Sequence, residues 1–312
     1  MREIVIWTYR ILLGREPESE DVIDLYCKCE SVDELVGHFI RSREFQLRHL
    51  SGSEIGALVP FENQFVITEL PDGTRFWINM RDRYVSRAIH LNDYEQKETL
   101  FIHKNVRPAM RVLDIGANLG WFTVHMAKLV GPFGHVTSFE PRSDLFHYLS
   151  RTVRENKFEN VKLCNCALGD HVGEVELQWP ADGINPGGTQ LNMTETISKR
   201  MLYQKTVMRV LDEEINHEVN FIKIDVEGAE KLVFSGAKRI LTQSRPVIMS
   251  ELSPDALRQV SNVGFDEYMA FFQGIGYEAY QLTEEGEGGK RVTEWPYSDP
   301  AALMNVILLP SP

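Results

Sequence analysis

The sequence predicts an α/β protein: an open sheet with helices on both faces, preceded by a small helical module and a β-hairpin. Three stretches predict it. The first is Arg111-Val112-Leu113-Asp114-Ile115-Gly116-Ala117-Asn118-Leu119-Gly120, which passes into helical spacing at Trp121 and reads as strand, tight turn and helix N-terminus. The second is His135 to Phe139 followed by Glu140-Pro141, a short strand with an acid at its tip, 26 residues past Asp114. The third is Asn220 to Glu230, where the apolar run around Lys223 ends in Asp225 and Glu227-Gly228 opens a helix. Ligands of such open sheets bind beyond the carboxyl ends of the strands.

Composition sets outer bounds. The 312 residues suffice for one large domain plus a small module, and 43% hydrophobic with 25% charged residues are the proportions of a globular protein. The net charge of −12 and the lack of a Lys/Arg cluster argue against nucleic acid as a partner. Met1 to Trp7 is too short and too charged for a signal peptide, and no run reaches the ~20 apolar residues of a membrane span, so the chain reads as cytoplasmic. Cys27, Cys29, Cys164 and Cys166 form two C-x-C pairs. The first falls in a helical pattern, where positions two apart diverge, and the second in a strand, on one face. The spacing is not that of zinc ligands, so ordinary thiols are expected.

In chain order, residues 1–50 read as the helical module. Ile4, Trp7, Ile11 and Leu12 keep helical spacing, Gly14 is placed to stop that helix, and Ser31-Val32-Asp33-Glu34 fits a capping box before Leu35, Val36, Phe39 and Ile40. Residues 51–90 read as linker and hairpin, with Phe65 to Leu70 and Thr74 to Ile78 flanking Pro71-Asp72-Gly73. Residues 91–312 read as the α/β domain. A helix over Asp93 to Val106 leads into the first strand. Another helix follows the glycine loop, with Phe122, Met126, Leu129 and Val130 on one face and Gly131-Pro132 at its end. The next helix carries Leu145, Phe146, Leu149 and Val153, and Val161 to Ala167 reads as a third strand. Asp182 to Asn192, rich in Gly, Pro and Asn, is a loop suited to a substrate lid. Pro246 to Glu251, Tyr277 to Thr283 and Met304 to Leu309 are further strands, Tyr268 to Gly276 a helix, and Glu284 to Arg291 a turn.

The loop chemistry narrows the ligand. A dinucleotide fingerprint needs glycine where this chain has Asn118, so the loop is less like a pyrophosphate cradle and more like the D-x-G-x-N-x-G loop of S-adenosylmethionine-dependent methyltransferases. Glu140 is placed to accept hydrogen bonds from two ribose hydroxyls, and Asn165-Cys166-Ala167 lies where an adenine ring would sit. Asp114 to Gly120, Glu140-Pro141, Ala167-Leu168-Gly169, Val210-Leu211-Asp212, Ile222 to Glu230 and Asn305-Val306, with Tyr94-Glu95 ahead of them, together resemble the FkbM family of methyltransferases over roughly residues 80–310. Tyr9 to Pro17 with Ser42-Arg43-Glu44-Phe45 resembles a small helical domain of unknown function found beside bacterial glycan-handling enzymes.

The FkbM resemblance implies a seven-stranded class I methyltransferase sheet, S-adenosylmethionine as donor, and O-methylation of a hydroxyl on a sugar, polysaccharide or secondary metabolite. It assigns Glu95, Asp114, Gly116, Ala117, Asn118, Gly120, Glu140, Asn165, Cys166, Ala167 and Asp225 to the cofactor. Asp225 is the expected group nearest the acceptor, with Lys223 and Glu227 shaping its charge; His103 and His125 are further candidates. Asp225 and Glu251, at neighbouring strand tips, are candidate ligands for Mg2+, with Glu227 as a third oxygen. The alternatives are N-methylation of an amide or amine, and a non-catalytic cofactor-binding module of a glycan-assembly complex. Oligomeric state stays open, a dimer included.

Overall fold

The computed structural model describes residues 1–13, 15–29, 31–42, 65–181, 187–194, 198 and 200–311, in two compact units divided between Asn63 and Gln64. The expected stop at Gly14, the motif over 43–45, the linker at 51–60 and the loop over 182–186 lie outside these residues.

The first unit holds Arg2–Thr8 (α1), which continues as a π-helical turn over Tyr9–Leu13, then Glu20–Tyr26 (α2) and Val32–Arg41 (α3). Ser19 and Ser31 cap α2 and α3 by accepting from the backbone N–H three residues on. Its core is Val5, Tyr9, Leu13, Ile23, Leu35 and Phe39. This corrects the expected stripe: Ile4, Trp7 and Ile11 are exposed, Trp7 at 57%. Two apolar stripes lie side by side on this helix, and the aromatic contact of Tyr9 with Phe39 (4.7 Å, edge-on) selects the Val5-Tyr9-Leu13 one.

The second unit opens with the hairpin Phe65–Glu69 (β1) and Arg75–Asn79 (β2), then Val85–His90 (α4) and Gln96–Asn105 (α5). Next come Arg111–Ile115 (β3), Trp121–Val130 (α6), His135–Phe139 (β4), Ser143–Glu155 (α7) and Val161–Cys164 (β5). Four strands follow that pair among themselves: Ala167–Gly169 (β6), Gly173–Pro180 (β7), Gln190–Leu191 (β8) and Met201–Val210 (β9). The chain then forms Leu211–Glu214 (α8), Phe221–Ile224 (β10), Glu230–Ser235 (α9), Val247–Leu252 (β11), Pro254–Val260 (α10), Phe265–Gly274 (α11), Tyr277–Leu282 (β12), Gly288–Arg291 (β13) and Met304–Pro310 (β14).

The main sheet runs β13-β12-β14-β11-β10-β3-β4-β5. β3, β4, β5, β10 and β11 are parallel, and β14 enters antiparallel between β11 and β12. The expected α/β sheet is therefore present with eight strands instead of seven, because Gly288–Arg291, read as turn, folds back on β12. Both faces are covered, as alternation requires. Val112, Phe221 and Ile307 pack with Phe101, Trp121 and Met126, whereas Leu113, Ile222 and Leu308 pack with Phe234, Tyr268 and Phe272. The third strand ends at Cys164, earlier than expected; Ala167 already belongs to the smaller sheet, so Cys164 and Cys166 share no strand face. All four cysteines are free thiols. Strand order reverses between β3, which leads outward to β4 and β5, and β10, which returns beside β3. Their carboxyl ends frame the crevice.

Candidate active site

The glycine loop carries three left-handed residues, Gly116 (φ +82°), Asn118 (φ 51°) and Gly120 (φ 93°). The backbone N–H groups of Gly116 and Ala117 both donate to the carbonyl of Phe139, tying the loop to the tip of β4. A side chain on Gly116 would strike the Asp225 carbonyl, so this glycine serves the junction of β3 with β10 as well as any ligand. Asp114 is wholly buried. Its Oδ2 accepts from Thr123 Oγ1 (2.5 Å), which also lies 2.8 Å from Ser138 Oγ, so Asp114 pins the loop to α6. Burial raises its pKa, with Lys223 pulling the other way.

Glu140 is the best-held acid of the site. Its Oε2 accepts from the N–H of Asn118 (2.8 Å) and its Oε1 from the N–H of Arg142 (2.9 Å). Both oxygens keep lone pairs free, and burial pushes its pKa up to about 7. The cleft beside it encloses about 670 Å³ of empty space, part of it open to solvent. Of the expected residues it is lined by Gly116, Asn118, Glu140, Cys166, Ala167, Asp225 and Glu227. Leu177, Thr189, Gln190 and Leu191 add a wall from the small sheet, which puts the described end of the expected lid loop on the cleft. Arg142, which sequence reasoning missed, joins this wall to Glu140. Its guanidinium donates to both oxygens of Asp144 (2.7 and 2.8 Å) and to Thr189 Oγ1 (3.1 Å), and lies 4.5 Å from the centre of the Trp179 ring. No spacing rule links Arg142 to Thr189 or Trp179; only the pairing of β7 with β8 brings them together.

Several expected residues stand elsewhere. Asp114, Ala117 and Gly120 are buried behind the loop and do not line the cleft. Asn165 is exposed, and its amide donates to the carbonyls of Glu140 and Pro141 at 2.8 and 3.2 Å, so it braces the strand tip and does not face the cleft. His103 and His125 hydrogen-bond to each other (3.0 Å) where α5 meets α6, with His125 against Trp121, away from the lining residues. Burial pushes His125 down to about 4.

A second group gathers at the tips of β10 and β11. Lys223 Nζ lies 3.4 Å from Asp225 Oδ2 and 4.9 Å from the centre of the Phe122 ring. Burial opposes its charge, but Asp225, Asp114, Glu95 and Glu251 hold its pKa above the usual lysine value. Glu95 (φ 42°) and Glu227 (φ 52°) both sit in the left-handed region. Burial pushes Glu95 to about 7 and, with Asp225 beside it, Glu227 to about 8; Asp225 first and burial second push Glu251 to about 10. Glu230, the last residue of the motif read from sequence, accepts from the N–H groups of Val226 (3.1 Å) and Gly228 (3.3 Å) and fixes the turn that carries Glu227.

The donor set gives the Mg2+ expectation no support. Among the described residues, the one group of three His, Cys, Asp or Glu side chains with ligand atoms within 4.8 Å of one another is Cys29, Glu34 and His38 in the helical module. Asp225, Glu227 and Glu251 are not such a group, and Lys223 already supplies positive charge at Asp225. For a cationic nucleoside the fit is better. Asn118 Oδ1 is a buried acceptor without a partner on the cleft lining, Glu140 offers two held oxygens, and Asp225 and Glu227 add carboxylates. No helix among the described residues is long and apolar enough to cross a membrane.

The profile of the methyltransferase FkbM domain matches residues 114–279. A protein-L-isoaspartate O-methyltransferase of Methanothrix thermoacetophila is 30% identical over 97 residues, 31% of this chain and 45% of that protein. Methyltransferase 1 of Beauveria bassiana is 23% identical over 178 residues, 48% of this chain and 71% of that protein. The chain thus spans about half of the first relative's length. The crystal structure of an FkbM methyltransferase from Methylobacillus flagellatus aligns with 73% of this chain and 55% of its own, at 17% identity and a TM-score of 0.41. With its profile matched over more than half its length, the chain belongs to the methyltransferase FkbM domain family.

Proposed function

We propose that this chain is an S-adenosylmethionine-dependent methyltransferase that methylates a hydroxyl of a sugar, polysaccharide or other small metabolite. The observation that carries the reading is Glu140, whose two oxygens are aimed by the N–H groups of Asn118 and Arg142 at the edge of a cleft ending in Asp225 and Glu227. Family membership supports the same donor.

In this reading Glu140 binds the ribose hydroxyls, and Cys166, Ala167 and Leu177 form the adenine wall. Gly116 and Asn118 hold the chain that leads to sulfur, and Glu95 neutralises the ammonium end. When bound, the donor supplies a methyl on cationic sulfur, and the S–C electron pair leaves with sulfur as the acceptor oxygen bonds to carbon. The protein's own work is alignment and removal of the acceptor proton. Asp225, held by Lys223, orients the hydroxyl. Glu227, its pKa pushed up to about 8 by burial and by Asp225, receives the proton once ionised. The same carboxylates suit an amine, so the test includes one. Calorimetry with S-adenosylmethionine and an assay for released S-adenosylhomocysteine, over a panel of sugar alcohols, oligosaccharides and amines, checks the proposal. Absence of cofactor binding refutes it, and turnover confined to amines moves it to N-methylation.

A further inference from the structure

The opposite end of the same strands carries a cluster that methyl transfer does not use. Arg111 opens β3, His135 opens β4 directly across from it, and Lys162 pairs with Thr137 one strand further. With His217 they line a groove at the amino-terminal edge of the sheet, which Phe133, 90% exposed, borders. Strands of five residues at ~3.3 Å per residue separate this edge from the cofactor cleft by roughly 13 Å or more.

The charges here are uncompensated. Glu214 is the groove's one carboxylate, and it is engaged by Arg209 Nη1 at 3.1 Å. Neither Arg111 nor Lys162 has a carboxylate within ion-pair distance among the described residues. The ring of His217 lies 6.5 Å from that of His135, and its Nδ1 donates to the Glu218 carbonyl (3.0 Å), which leaves Nε2 free. Burial first, then His217, Lys162 and Arg111, keep the His135 pKa low, as expected where like charges gather without a counter-ion. In a chain of net charge −12 such a gathering is the exception. The aromatic face beside it gives a ligand an apolar surface next to its charge.

We infer that this groove is a second ligand site, for a small molecule carrying a phosphate or carboxylate and a flat apolar face, with the anion between Arg111 and Lys162 and the apolar face on Phe133. The patch is one ligand wide and stands alone on an acidic chain, which favours a sugar phosphate or a uronate over a nucleic-acid strand. The inference does not depend on the proposed methyl transfer.

Calorimetry on the full chain tests it with inorganic phosphate, glucose 1-phosphate, glucuronate and neutral glucose. Saturable binding of the anions at or below ~1 mM, with none for glucose, is expected. Whichever of glucose 1-phosphate and glucuronate binds tighter identifies the source of the anion. Arg111→Ser with Lys162→Ser should weaken binding at least tenfold at unchanged melting temperature, since both side chains are at the surface. Glu214→Gln should tighten it by removing the one carboxylate. Phe133→Ser should weaken the sugar anions and leave inorganic phosphate as it was. No saturable binding, binding indifferent to the double variant, or tight binding confined to single-stranded RNA would each overturn the inference.

Discussion

An ideal Cβ placed on Gly116 would lie 1.8 Å from the carbonyl oxygen of Asp225, so the loop after β3 and the tip of β10 meet backbone to backbone. At φ +82° any side chain here is strained as well. Gly116→Ala should lower stability by more than about 2 kcal/mol and weaken cofactor binding, because Asp225 must move. Thermal unfolding and calorimetry check both. A variant that folds and binds like wild type would show that the two tips tolerate separation.

Glu140 combines two tasks, accepting from Asn118 and Arg142 and facing the cleft. Glu140→Ala removes hydrogen bonds to a charged acceptor, each worth about 1.5–3 kcal/mol, so the dissociation constant for S-adenosylmethionine should rise at least tenfold. Glu140→Gln, which keeps one acceptor oxygen, should fall between. Equal binding by all three proteins would take the ribose elsewhere.

The raised acids make stability fall with pH. Glu95 and Glu140 sit near 7 and Glu227 near 8, each against 4.5 unfolded. The native state binds more protons than the unfolded state across that window. Its advantage is therefore complete below pH 4.5 and is lost as pH rises toward 7 and 8. The melting temperature should drop between pH 5 and 8, and Glu227→Gln should flatten the drop. A cationic ligand favours the ionised acids, so binding at pH 7.5 should release protons. Calorimetry in two buffers of different ionisation enthalpy reads this directly, and proton uptake would contradict it.

Asp225→Asn keeps the shape beside Lys223 and removes the charge. With the hydroxyl no longer oriented, turnover should fall by ~10²-fold with little change in cofactor affinity. EDTA should leave wild-type turnover unchanged, since Asp225, Glu227 and Glu251 do not converge as a ligand set.

The helical module has its own core, in which Tyr9 meets Phe39 edge-on at 4.7 Å. Phe39→Ala should cost that core about 3–5 kcal/mol and unfold it while cofactor affinity stays at the wild-type value. Circular dichroism and calorimetry on the same sample decide this. A parallel loss of cofactor affinity would show that the units are coupled.

Local chemistry made much of this protein legible from sequence. The apolar run before Gly116, the acid after Phe139 and the Lys223-to-Glu230 segment announce strand ends and the crevice beyond them, because strand, left-handed turn and cap each depend on a few adjacent residues. Ser31 caps α3 as its spacing predicts. Residues 173–180 and 201–210 gave no comparably clear signal. Their strands form a half-exposed accessory sheet, so their alternation is weak.

What the sequence by itself determined was the α/β class, the crevice at the strand tips and most of its acids. The tertiary structure alone decided which of those residues face the cleft. Asp114 turned to the Thr123 hydroxyl, Asn165 turned to brace the backbone of the strand tip, Arg142 became the tie between Glu140 and Thr189, and Gly116 left room for the Asp225 carbonyl. Apart from Asp114 and Thr123, those pairs lie far apart in the chain. Their distances follow from sheet register and from how two faces of side chains pack, and neither is written into a window of neighbouring residues.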